Sequence, residues 1–124
     1  MKHVSNDTAP TFLLGDMNIV NEMDKEYNNM MEALKLPNYK VIDTFQTMEH
    51  QEPTIAGGDG GDNILTLDCD RNIPRTIDYV FVFESNDDNK VKKYNSVVEK
   101  MSISGHPYSQ LSDHCAIECI VELK

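Results

Sequence analysis

Five side chains in this sequence have the types and the setting for phosphoester chemistry: Asp16, Asn18, Asp78, Asp113 and His114. They fall in three short clusters, Gly15-Asp16-Met17-Asn18, Thr76-Ile77-Asp78-Tyr79 and Ser112-Asp113-His114. Each cluster stands at the end of an apolar run that reads as a buried strand. Phe12-Leu13-Leu14 precedes the first, Tyr79 to Phe83 follows the second, and Ala116 to Val121 follows the third. Cleaving a phosphoester requires an attacking water, a general base and neutralisation of charge on the phosphoryl oxygens. Carboxylates, one amide and one imidazole at strand ends form such a set. Asp16 sits beside Gly15, which allows close approach, and the Asn18 amide can donate to a phosphate oxygen from an extended turn. The plainer reading of that pair is a turn capping a following helix. A histidine needs a carboxylate on one ring nitrogen to fix its tautomer and raise its basicity. Carboxylate and amide oxygens suit a hard divalent cation, Mg2+ or Mn2+.

The elements that must position these groups can be read from periodicity. Residues 1–10 are polar and form a lead-in. Phe12 to Gly15 reads as a short strand. Asp24 to Leu36 reads as a helix: Asp24 suits an N-cap, Tyr27, Met30, Met31 and Leu34 share one face, and Pro37 ends it. Tyr39 to Phe45 is a short extended or turn segment. Gln46 to Asn63 is a long polar loop with Gly57-Gly58-Asp59-Gly60-Gly61, expected to bury little. Ile77 to Glu84 is a strand with aromatics at 79, 81 and 83 on one face. Ser85 to Asn89 is a turn. Lys90 to Ile103 fits either a helix or strands, and its β-branched content favours strands. Gly105 to Leu111 is a loop. His114 to Leu123 alternates, placing Cys115, Ile117, Cys119, Val121 and Leu123 on one face.

At 124 residues the chain has room for one domain, and its 40% apolar content permits a core. The net charge of -10 argues against a general grip on nucleic acid, where phosphate contacts need Lys and Arg. It fits a soluble cytoplasmic protein or a site that concentrates carboxylates. No apolar run reaches the length of about 18 residues that a membrane span needs, and the N-terminus shows no charged-then-apolar signal pattern. Cys115 and Cys119 share a strand face at a separation of roughly 13 Å, given about 3.3 Å per residue, so they cannot bond to each other. All three cysteines read as reduced thiols filling apolar space. Asn6-Asp7-Thr8 matches a glycosylation sequon, a pattern common by chance.

In their order along the chain, the three clusters resemble the endonuclease/exonuclease/phosphatase superfamily. Its members share the deoxyribonuclease I-like fold and include neutral sphingomyelinases and inositol polyphosphate phosphatases. The family patterns are GD-x-N, a basic or small residue before (I/L)DY, and SDH. The resemblance covers Thr11 to Leu123 and corresponds to the second half of such an enzyme. The family's first-half Asn and metal-binding Glu fall before this region, and residues 1–10 contain no Glu. The implied fold class is α/β, half of a four-layer α/β sandwich with a mostly antiparallel sheet and a flanking helix. The expected domain spans 11–124. The resemblance implies that Asp16 orients or deprotonates the attacking water and that Asn18 holds the phosphate. It pairs Asp78 with His114 at the scissile phosphate and places Asp113 near the metal. It also makes Thr66, Asp68 and Asn72 substrate contacts, in a segment resembling the family's Thr-x-Asp stretch. Arg75 offers a cation to a phosphate or is a surface charge.

Other patterns are weaker. Asp68-Cys69-Asp70-Arg71-Asn72 begins like a calcium loop, but Ile73 stands where Gly is needed and Tyr79 where Glu is needed. The Gly-rich loop lacks the Gly-Lys-Ser/Thr ending of a nucleotide-binding loop. His3, His50 and His106 lie in polar surroundings and read as solvated. The tryptophan-cysteine-aspartate-arginine block of inositol phosphatases is missing, and the chain has no Trp. The expectation is a fragment of a divalent-metal-dependent phosphoesterase acting on a phosphodiester or phosphomonoester. The low basic content tilts the substrate from duplex DNA towards a lipid or small phosphoester. The alternatives are a non-catalytic binding module that needs a partner half, and a homodimer that rebuilds two sheets from identical halves. In each, a lone half-sandwich leaves an apolar face exposed.

Overall fold

The computed structural model describes residues 9–20, 24–45, 53–54, 76–99, 101, 104–105, 112 and 114–124. Their architecture is mixed α/β, with mostly antiparallel strands in two small sheets and one helix. The elements run β1 (Thr11–Asp16), α1 (Asp24–Ala33), β2 (Tyr39–Asp43), β3 (Asp78–Ser85), β4 (Val91–Glu99) and β5 (Ala116–Leu123). The first sheet has the order β1-β3-β2, and β4 pairs with β5 in the second. All these pairings are antiparallel.

β3 is the centre of the fold because its sequence is apolar on both faces. Side chains alternate across a strand. Tyr79, Phe81 and Phe83 therefore point one way and Val80 and Val82 the other, and all five are buried. Burying a large apolar side chain contributes about 1.5–3 kcal/mol, so this one strand supplies much of the core. The aromatic face packs with Met30 of α1, and Tyr27, Met31 and Leu34 join the same cluster. Tyr79 and Phe81 stack with ring centroids 5.3 Å apart. The helix stops at Ala33, three residues short of the sequence expectation. Its last turn tightens, with the Lys35 N–H donating to the Glu32 carbonyl, and Pro37 disfavours helical backbone at Leu36.

The opposite face of β3 meets the second sheet. Residues directly opposite one another in a pair share a face, so Ile42 and Val82 lie side by side there. The β4–β5 pair is tied to this side by buried polar contacts. The Ser96 hydroxyl meets that of Thr44 at 2.7 Å, and Thr44 Oγ1 donates to the Val80 carbonyl at 3.0 Å. The Glu84 carboxylate, also buried, accepts from the Val91 N–H at the start of β4. The ambiguous segment after Lys90 is thus a strand, as its β-branched residues suggested.

Two expectations of buried strands fail. β1 is exposed along its whole length, with Phe12 at 45%, Leu13 at 37% and Leu14 at 66%. It is an edge strand, hydrogen-bonded only to β3, and no described element covers its faces. β5 is half-exposed, because it belongs to a two-stranded sheet with one outer face. Tyr39–Asp43, expected as extended or turn, is a ladder strand. Cys115 and Cys119 are thiols, as expected, and Cys69 lies outside the described residues.

Asp43, at the end of β2, is buried and accepts from two donors: the Tyr27 hydroxyl at 2.6 Å and the Phe45 N–H at 2.9 Å. Burial, then the hydrogen bond to Asp43 and its negative charge, push the Tyr27 hydroxyl well above the usual tyrosine range. A pKa raised in the folded state stabilises the fold fully below the unfolded tyrosine value of about 10. That contribution is lost as pH rises beyond it, because the unfolded chain then releases a proton the folded chain retains. Tyr27→Phe should cost about 1–2 kcal/mol at neutral pH by leaving Asp43 short of a donor. Thermal melts from pH 8 to 11 should fall less steeply for the variant than for the unsubstituted chain.

Candidate functional site

The first residue of β3 and the last residue of β1 are register partners, and both are aspartates: Asp16 faces Asp78. They lie on the β3 face that carries Val80 and Val82, at the end of the strand pair. His114, two residues before β5, completes the cluster. Its Nδ1 lies 2.9 Å from Asp78 Oδ2 and 3.1 Å from Oδ1. Its Nε2 lies 3.9 Å from Asp16 Oδ2. An ionised carboxylate can only accept. The Asp78 contact therefore places a proton on Nδ1 and leaves Nε2 on the side of Asp16. A span of 3.9 Å is one that a single oxygen can bridge, at about 2.8 Å from each group. Asp78 is mostly covered, His114 partly so, and Asp16 is the most open to solvent.

Local sequence explains how each group is held. Gly15 has φ +147°, a region that L side chains rarely adopt. Among the described residues a Cβ there would meet nothing within 4 Å, so it is the backbone conformation that calls for glycine. Asn18 has φ +51°, a left-handed conformation that asparagine tolerates better than most residues. The expected extended turn is therefore replaced by a tight one, closed by the Asn18 N–H donating to Asp16 Oδ1 at 2.7 Å. The Asn18 residue itself is exposed beside the site. Asp16 thus uses one oxygen for the turn and presents the other to His114.

The strand pairing continues past Asp16 through the Met17 N–H to the Ile77 carbonyl at 2.9 Å. The Tyr79 hydroxyl then donates to the Ile19 carbonyl at 2.6 Å, anchoring the loop that carries Asn18. On the other side, the His114 N–H donates to Ser112 Oγ at 3.1 Å. This gives the serine of Ser-Asp-His a turn-forming role.

Thr54 was invisible to sequence reasoning. It sits in the polar segment expected to bury little, yet it is 0% exposed. Its Oγ1 accepts from the Ile77 N–H at 3.1 Å and the Asp78 N–H at 3.2 Å. Its carbonyl accepts from the Cys115 N–H at 2.6 Å. Nothing in Glu52-Pro53-Thr54-Ile55 signals this, because the contacts are made to residues far away in sequence. The Tyr79 hydroxyl was likewise missed, since Tyr79 reads as one more strand aromatic.

Of the sequence-derived candidates, the structure brings together Asp16, Asp78 and His114, with Asn18 beside them. Asp113 and the candidate substrate contacts Thr66, Asp68, Asn72 and Arg75 lie outside the described residues, as do His3, His50 and His106. Among the described residues, Asp16, Asp78 and His114 each offer a ligand atom within 4.8 Å of the others. Together the three could hold a metal ion. No described helix is long and apolar enough to cross a membrane. Comparison of the chain with protein-family models, curated proteins and solved structures yields no match.

The account of Gly15 is testable alone. Gly15→Ala should lower unfolding free energy in urea by about 1–3 kcal/mol through backbone strain, although the added methyl has open space.

Proposed function

We propose that this chain is the catalytic-base half of a divalent-metal-dependent phosphoesterase with a deoxyribonuclease I-like sandwich. The observation that carries the proposal is the convergence of Asp16, Asp78 and His114, from three separate sequence clusters, within 4.8 Å. In this reading the Asp78 carboxylate holds the His114 ring and keeps the proton on Nδ1. His114 Nε2 and the open oxygen of Asp16 face one small gap, where a water fits. Asp16 orients the water and takes its proton, His114 contacts the phosphate, and the exposed Asn18 amide donates to a phosphoryl oxygen. Asp113, by resemblance, would help to hold Mg2+ or Mn2+, which when bound supplies positive charge against the phosphoryl oxygens. Thr66, Asp68, Asn72 and Arg75 are the proposed substrate contacts. The charge of -10 favours a lipid or small phosphoester over duplex DNA.

A second reading is a non-catalytic module that pairs with another half. The exposed Phe12, Leu13 and Leu14 on the β1 edge favour it.

Hydrolysis of bis-p-nitrophenyl phosphate, with and without Mg2+, tests for a complete site. Turnover that depends on Mg2+ and falls at least about 100-fold in His114→Ala supports the phosphoesterase. A folded chain without turnover points to an enzyme half that needs its other half, or to the binding module.

Asp16→Asn adds a distinct signature. It keeps the side-chain oxygen that closes the turn to Asn18 but removes one of two like charges facing across the strand pair, an unfavourable arrangement. Activity should drop by orders of magnitude while the melting temperature stays level or rises. A melting temperature lowered by several degrees would contradict this account of the pair.

A further inference from the structure

Asp78 and His114 come from segments 36 residues apart. Their mutual geometry is demanding, since both carboxylate oxygens lie within 3.1 Å of one ring nitrogen. β1 pairing aligns Asp78 along its strand but does not reach His114, which precedes β5. Something else must fix one segment against the other, and within the described residues Thr54 touches both. Its hydroxyl oxygen takes the amide of Asp78 itself and that of the preceding Ile77. Its carbonyl takes the amide of Cys115, the residue directly after His114. Being fully buried, Thr54 makes these bonds without competition from water.

We propose that Thr54 is a positioning residue that sets the distance between Asp78 and His114, and through it the tautomer of the histidine. Its side chain touches no reacting atom in this scheme. It acts by holding the two backbone segments in a common frame, from which both functional side chains project. Displacements of about 0.5 Å degrade such a constellation, and about 1 Å can cost 100-fold in rate. The inference rests on the phosphoesterase reading for its kinetic arm only.

The test uses the full chain and three substitutions. Thr54→Val removes the acceptor at nearly constant shape, Thr54→Ser keeps it, and Thr44→Val removes a different buried hydroxyl as a stability control. Nitrogen-15 spectra of the imidazole report the His114 tautomer without any substrate, and Asp78→Asn supplies the signature of a broken pair. Thr54→Val should shift the His114 signals towards those of Asp78→Asn. Thr54→Ser and Thr44→Val should leave them in place, even where Thr44→Val lowers the melting temperature as much. In turnover of bis-p-nitrophenyl phosphate, Thr54→Val should lower kcat about 10- to 100-fold with little change in KM. If Thr54→Val does not fold, Thr54→Ala removes the same acceptor and is read the same way.

A folded Thr54→Val or Thr54→Ala chain with unshifted His114 signals would overturn the proposal. So would equal shifts in Thr44→Val. An unsubstituted chain without turnover would show that the chain alone forms no complete site, and the spectra would still decide the role of Thr54.

Discussion

Everything in this structure depends on one strand that is buried on both faces. β3 pairs with β1 on one side and β2 on the other. Its aromatic face is covered by α1, and the β4–β5 pair is tied to the side that carries its valines. A strand so placed has no freedom to shift along its axis, because each one-residue slip would exchange aromatics for valines on both faces. The aspartate at its first position inherits that fixity. Asp78 is therefore placed by apolar packing, and the more exposed Asp16 and His114 are arranged around it.

The polar contacts fall into two groups with different effects. Tyr27 with Asp43, and Thr44 with Ser96, join elements of the core and satisfy groups that burial would otherwise leave costly. Asp16, Asp78 and His114 gather at the end of a strand pair, where two carboxylates oppose each other across a ladder. The first group serves folding. The second holds two like charges in proximity, with the His114 ring against both.

The sequence made the middle of the fold legible and left its margins obscure. β3 was readable because alternating aromatics and valines admit one reading. The α1 face was readable because Tyr27, Met30, Met31 and Leu34 follow helical spacing. Asp16, Asp78 and His114 were legible as candidates because each closes an apolar run. The exposure of β1 was not, since Phe12-Leu13-Leu14 looks the same whether or not another layer covers it. The left-handed Asn18 was hidden because its φ depends on the turn that Asp16 closes. Thr54 was hidden for a stronger reason: its partners, Ile77, Asp78 and Cys115, are more than 20 residues distant. No local pattern can mark a residue whose role is to join segments that only folding brings together.

The three consecutive apolar residues of β1 have an effect on assembly as well. A strand that alternates polar and apolar residues tells its partner which alignment is correct. Phe12-Leu13-Leu14 does not, because sliding by one residue still sets an apolar side chain against an apolar neighbour. The discrimination must come from the end of the strand: the φ of Gly15, the bond from Met17 to Ile77, and the grip of Tyr79 on Ile19. The loop that presents Asp16 and Asn18 thus doubles as the stop against which the strand is aligned. The residues that assemble the site also help to set the register of the sheet.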